Sequence, residues 1–328
     1  MKTPAEIEDL LLAPSPMAPV VADEYEHPAS ELIRPAPEVE ADPLAVIVGI
    51  PFDTSILGRR GAKSGPDAVR WGLNASLLFD PNIDVDLSDA PRVADFGNVD
   101  VMHTQVESTW ERVSAVTESL ASLGHPLLVL GGDHGLTFPS LRGFCRSFDG
   151  SVGLISVDAH LDVRVSHHEE ISSGVPFRYA LEELDGRLAG ENFTEFGISG
   201  WLNTRSYADY LKEKGARLVT AREIWRGDFD ALVDEAIERA ADGTSAMYLT
   251  FDIDAIDGSI VAATNVPAVA GLSALQALEI VWRFAQHPKA MGMDIMEVSP
   301  SWDSSTLTER MAASLALTYL AGRHVAAG

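Results

Sequence analysis

Apolar residues in this chain gather in short unbroken runs, most of them followed by polar stretches in which apolar positions recur every three or four residues. The runs at 45–50, 93–96, 126–130, 152–157, 193–198, 217–219, 246–251 and 290–297 read as strands. Helical spacing predicts helices over 106–122, 136–148, 205–214, 229–241, 274–286 and 307–323; Val113, Val116 and Leu120 mark the first of these. Strands apolar on both faces that alternate with amphipathic helices predict a parallel sheet covered on both sides. Ligands of such sheets bind outside the carboxyl ends of the strands. We find no internal repeat and no second domain after residue 44.

Three acidic segments fall at those ends. Gly131-Gly132-Asp133-His134 follows the run at 126–130, Asp158-Ala159-His160-Leu161-Asp162 the run at 152–157, and Asp252-Ile253-Asp254 the run at 246–251. Alternate residues of an extended segment point the same way, so the acid-x-His-x-acid and acid-x-acid spacings let these side chains converge. Two glycines before His134 permit a tight exit from the strand. An isolated Asp-x-Asp is ordinarily a helix cap or a solvated turn. Three such motifs at strand ends instead point to a pair of divalent cations sharing carboxylates. Such a pair lowers the pKa of a water between them, and the hydroxide attacks an electrophilic carbon.

Composition narrows the partners. The 328 residues are 46% hydrophobic and 22% charged, as in a soluble globular protein. A formal net charge of −25 argues against nucleic acid and against anionic membrane surfaces. No apolar run reaches the roughly 18 residues of a membrane span. The N-terminus lacks a basic start followed by an apolar core, so a cytoplasmic location is expected. The lone Cys145 excludes an intrachain disulfide and reads as a core residue. Residues 1–44 hold eight prolines, ten acids and two bases. They read as an extended arm with a short helix at 3–12, either a free tail or packed on a neighbouring subunit.

The three motifs, the last continuing as Ala255-Ile256-Asp257, resemble the signatures of the ureohydrolases, the family of arginase, agmatinase, guanidinobutyrase and formimidoylglutamase. Gly49-Ile50-Pro51-Phe52-Asp53, Gly61-Ala62-Lys63-Ser64-Gly65-Pro66 and Glu297-Val298-Ser299-Pro300 extend the resemblance over roughly 45–325. It implies a three-layer α/β/α sandwich around a mostly parallel eight-stranded sheet. It also implies a binuclear site, usually manganese and sometimes nickel, in a homotrimer or homohexamer. By motif, one metal would be bound by His134, Asp158, Asp162 and Asp252, the other by His160, Asp158, Asp252 and Asp254. Glu297 would hold a small cationic amidine or guanidinium substrate. Its plain alternative is a buried helix-cap acid. Asp162 is placed to take the nucleophile's proton and pass it on.

One departure bears on the substrate. Arginases and agmatinases typically carry a proton-shuttling histidine immediately before Gly174, and here Ser173 stands there. His167 and His168 are either stand-ins for it or solvated loop residues. Ser172-Ser173-Gly174, Arg164 and Asn203-Thr204-Arg205 are closer to the formimidoylglutamases. Arg164, with Ser172 and Ser173, would suit an acidic substrate such as N-formimidoyl-glutamate. Salt bridges are the plain alternative for Arg164 and Arg178. Gly132-Asp133-His134-Gly135 is closer to agmatinases, and Gly258–Ala263 lacks the proline-rich stretch usual in both. Agmatine, guanidinobutyrate, guanidine or a substituted biguanide therefore stay open, as does an accessory subunit in a mixed oligomer with a paralogue.

Overall fold

The computed structural model describes residues 11–12, 25–40, 42–165, 170–184 and 186–328. Its strands are β1 Leu11–Leu12, β2 Ile33–Pro35, β3 Val46–Gly49, β4 Phe79–Asp80, β5 Val85–Asp86, β6 Val93–Val99, β7 Leu127–Leu130, β8 Val152–Val157, β9 Phe193–Ile198, β10 Arg217–Thr220, β11 Ala246–Asp252 and β12 Ala290–Met296. Its α-helices are α1 Gly65–Asn74, α2 Val106–Ala121, α3 Thr137–Arg146, α4 Pro176–Glu183, α5 Arg205–Glu213, α6 Ala221–Arg226, α7 Phe229–Ala241, α8 Ala274–Gln286 and α9 Leu307–Ala327.

The eight predicted strands form one parallel sheet in the order β6-β3-β7-β12-β11-β8-β9-β10. Two short segments the apolar pattern does not announce, β1 antiparallel and β2 parallel, also pair with β6 and bring the sheet to ten strands. The helix expected at 3–12 falls mostly outside the described residues; Leu11–Leu12 within it form β1. Over 25–40 the proline-rich stretch lies on its own chain. Ala29 N–H donates to Ser76 O at 3.0 Å, and Ala29, Leu32, Ile33, Ala36 and Val39 are buried.

Alternate strand residues feed two cores, which makes the three layers. Ile47, Leu128, Ile155 and Leu249 pack with α1, α7, α8 and α9. Val48, Val129, Leu154 and Tyr248 pack with α2, α3, α4 and α5. Cys145 lies in the second core, its thiol pushed up to about 12 by burial. Because neighbours in the sheet run parallel, β7, β12, β11 and β8 all end at one edge. Those four ends carry Gly131, Glu297, Asp252 and Asp158.

A buried ion pair fixes α1 to the sheet. Arg70 donates through Nε and Nη2 to the two Asp95 oxygens, both at 2.8 Å, and through Nη1 to Asn98 Oδ1 at 2.7 Å. The Arg70 and Asp95 side chains are 3% and 6% exposed. Arg70→Met is expected to lower stability by about 3–5 kcal/mol, because it leaves a buried carboxylate unpaired. The midpoint of denaturant unfolding reads this out, and an unchanged midpoint refutes it.

Candidate metal and substrate site

The strand ends bring the three motifs together. His134 Nδ1 lies 3.0 Å from Asp158 Oδ2, 3.1 Å from Asp162 Oδ2 and 3.2 Å from Asp252 Oδ2. His160 Nδ1 lies 3.2 Å from Asp254 Oδ2 and 3.5 Å from Asp158 Oδ1. Asp158 thus turns one oxygen to each imidazole, and the groups His134–Asp158–Asp252 and Asp158–His160–Asp254 each gather ligand atoms closely enough for an ion. An imidazole nitrogen carries at most one proton, yet His134 Nδ1 faces three carboxylates. Neither it nor Asp158 Oδ2 completes a hydrogen bond among the described residues. Donors gathered this way, without proton sharing, are arranged for a cation.

The electrostatics agree. Burial by itself drives the His134 imidazolium down, but Asp158, Asp162 and Asp252 outweigh it and its pKa ends well above the ordinary value. Burial, then the charge of Asp252, pushes Asp254 well up. Asp162 and Asp252 are raised by burial and by Asp158. So many buried acids need countercharge, and two divalent ions would supply it.

Local backbone shapes the cluster. A Cβ on Gly132 would lie 1.8 Å from Phe52 O, so glycine alone lets the two loops close. Asp162 at φ 38° and Glu297 at φ 66° are left-handed non-glycine residues. Such strain costs of order 1–3 kcal/mol each and gathers at functional sites. Glu297 is buried. Its Oε1 accepts the His134 backbone N–H at 2.9 Å, as a cap would, while Oε2 has no partner among the described residues.

A cavity opens above the cluster. His160, Asp162, Asp252, Asp254, Glu297, Arg164 and Ser173 line it, with Asn203, Asn265, Leu57, Leu202, Val266 and Tyr207. Ser172 does not line it; adjacent residues diverge, and Ser173 is anchored by its N–H to Ser55 O at 2.8 Å. Arg164 is exposed and pairs with no carboxylate among the described residues. Arg178 is structural: it pairs with Glu182 at 3.0 Å and lies 3.9 Å over the Tyr210 ring. In Asn203-Thr204-Arg205, Asn203 ties down Ala159 O and Ser199 O, and Thr204 caps α5. His167 and His168 lie outside the described residues.

A model described as the Arginase family matches residues 44–322. The chain belongs to the arginase family. It is 34% identical to the human mitochondrial guanidino acid hydrolase, over 83% of this chain and 76% of that one. A formimidoylglutamase structure from Bacillus subtilis superposes with a TM-score of 0.85 at 25% identity, covering 92% of this chain and 94% of that one. A Trypanosoma cruzi formiminoglutamase with Mn²⁺ superposes with a TM-score of 0.81 at 27% identity, covering 90% and 98%. This arginase-family protein is a binuclear metal-dependent hydrolase of amidino C–N bonds.

Beneath the candidate metal ligands, the arginase-family sheet carries a polar row that the sequence pattern does not single out. Asp294, Thr250, Ser156 and Glu195 stand in register on β12, β11, β8 and β9, all fully buried. Thr250 Oγ1 is 3.0 Å from His134 Nε2 and 3.1 Å from Thr137 Oγ1, which donates to Asp294 Oδ2 at 3.0 Å. Tyr248 OH donates to the same oxygen at 3.0 Å. With Nε2 occupied by Thr250, Nδ1 is left to face a cation. Lone polar residues inside otherwise apolar strands were the available signal. Thr250→Val is expected to weaken metal affinity about 10- to 100-fold with the fold intact. Titration against a chelator measures this, and unchanged affinity refutes the orienting role.

Proposed function

We propose that the protein hydrolyses the amidino C–N bond of a small substrate whose other end carries a carboxylate, with N-formimidoyl-glutamate, giving glutamate and formamide, as the leading compound. The carrying observation is Arg164, an exposed cation with no carboxylate partner among the described residues, in the cavity whose floor holds Glu297 and the His/Asp cluster. The cationic end would lie at the unpaired Glu297 Oε2, and the anionic end at Arg164. A single such arginine supports a second reading, a mono-carboxylate guanidino acid such as guanidinobutyrate, giving urea and an amino acid. Convergence of all six ligand side chains counts against an idle accessory subunit.

His134, Asp158, Asp162 and Asp252 would hold one metal, and His160, Asp158, Asp252 and Asp254 the other, manganese first and nickel as the alternative. When bound, the pair would bring a shared water's pKa toward neutrality and so supply hydroxide. Asp162 lines the cavity, so its carboxylate can take a proton and return it to the leaving nitrogen. Ser173 does not titrate near neutrality. Its hydroxyl can orient substrate or water, and we assign it no proton transfer.

We place residues 45–328 as the catalytic unit and 1–44 outside the chemistry. We propose a homotrimer or homohexamer, for which exposed Trp225, Val269 and Leu275 offer apolar surface. No helix among the described residues is long and apolar enough to cross a membrane, and the cytoplasmic location is part of this proposal. The test is product-resolved NMR on enzyme loaded separately with manganese and nickel. It would be given N-formimidoyl-glutamate, guanidinobutyrate, agmatine, arginine, guanidine and a dialkylbiguanide. Formamide with glutamate carries the first reading. Urea from guanidinobutyrate carries the second. Turnover confined to substrates without a carboxylate overturns both.

A further inference from the structure

Asn265 is 8% exposed and lines the same cavity as Arg164 and Glu297. Its Oδ1 is buried and has no hydrogen-bond donor among the described residues. That oxygen lies against Gly58, where a Cβ would come within 2.0 Å of it. The two loops are joined at this point, Arg59 N–H donating to Asn265 O at 3.3 Å.

The Arg59 side chain fastens the rest of the segment. Its Nη2 donates to Ala262 O at 2.6 Å and Thr264 O at 2.7 Å, and its Nε to Thr264 O at 3.2 Å. The guanidinium lies 4.8 Å from the Trp302 ring centroid. The Trp302 indole in turn donates to Arg60 O at 2.8 Å. A segment without helix or strand is thereby held by directional contacts. With the oxygen turned against Gly58, the amide nitrogen is the end of Asn265 left to the cavity.

We propose that Asn265 is a specificity-determining residue, its amide N–H₂ donating to the substrate carboxylate beside Arg164, with Gly58 and Arg59 fixing its position. This rests on the carboxylate reading above. A carboxylate accepts several hydrogen bonds at once. Arg164, exposed on a long side chain, supplies charge, whereas a short amide on a held backbone supplies direction. Two donors lining one cavity would also disfavour a terminal ammonium there, so the pair would separate guanidino and formimidoyl acids from diamines.

The test compares kcat/KM on guanidinobutyrate, N-formimidoyl-glutamate and agmatine for wild type, Asn265→Asp and Asn265→Gly, with metal content measured for each. Wild type is expected to prefer the acids. Asn265→Asp keeps the shape, replaces donor by acceptor, and should lower kcat/KM on the acids about 10- to 100-fold, chiefly through KM, with agmatine spared. Asn265→Gly adds no charge and should weaken the acids alone. An acid-to-agmatine ratio within twofold of wild type in both variants overturns the role of Asn265 and leaves the carboxylate reading standing. A wild type without preference for the acids overturns that reading and this assignment with it.

Discussion

Asp158→Asn is expected to leave the purified protein without its metal pair and to lower turnover at least about a thousandfold, because the nucleophile is lost with the ions. The prediction follows from how the carboxylate is shared: Oδ2 stands 3.0 Å from His134 Nδ1 and Oδ1 3.5 Å from His160 Nδ1. No other acid of the cluster turns its two oxygens to the two imidazoles. Asp254 approaches only His160, at 3.2 Å. Asp254→Asn should therefore retain the ion on the His134 side, about one per chain. Metal analysis after dialysis separates the two variants. Equal loss in both would mean that the two ions are not held independently, and full retention in Asp158→Asn would remove the shared carboxylate from the mechanism. Asp252→Ala, which takes away a contact at 3.2 Å to His134 and the acceptor of the Asp254 backbone N–H at 2.8 Å, should resemble Asp158→Asn.

What can be read from the sequence divides by distance along the chain. The strand ends are legible because a parallel sheet buried on both faces needs continuous apolar runs, and the polar residue that stops each run is where the chain leaves the sheet. Asp158, Asp252 and Glu297 all fall there. Helix α1 is hidden by its opening Gly65-Pro66, which looks like a loop although proline is well tolerated in a first turn. Helix α4 is hidden in the same way by Pro176, and α6 is too short for periodicity to show. The row Asp294-Thr250-Ser156-Glu195 depends on the register of four strands far apart in sequence, which local patterning does not contain. Ser173 stands out in the sequence by its place before Gly174, but that it lines the cavity while Ser172 does not is legible only in the fold. Asn265 is illegible for the same reason: its place depends on Gly58, some two hundred residues earlier.

Glu297→Gln should keep both metals and the fold while lowering kcat/KM about 10²- to 10³-fold on every amidino substrate the enzyme accepts. Glutamine has the same shape, and its amide oxygen can still accept the His134 N–H that Oε1 now takes at 2.9 Å. Only the charge and the second acceptor are lost. Oε2 is the oxygen with no partner among the described residues, and its residue lines the cavity, so that loss falls on the substrate. A planar amidinium offers two parallel N–H groups to a carboxylate and would meet an N–H₂ in the variant. Glu297→Ala is the necessary companion. It also strips the acceptor from a buried backbone N–H and should cost about 1–3 kcal/mol of stability. If Glu297 were only a cap for the helical turn at His134–Leu136, Gln would be nearly silent and Ala would show its whole effect in the unfolding midpoint. If it receives substrate, Gln reproduces most of the kinetic loss at an unchanged midpoint and metal content. The split between the two variants, read in kcat/KM and in unfolding, decides between a structural acid and a substrate-binding one.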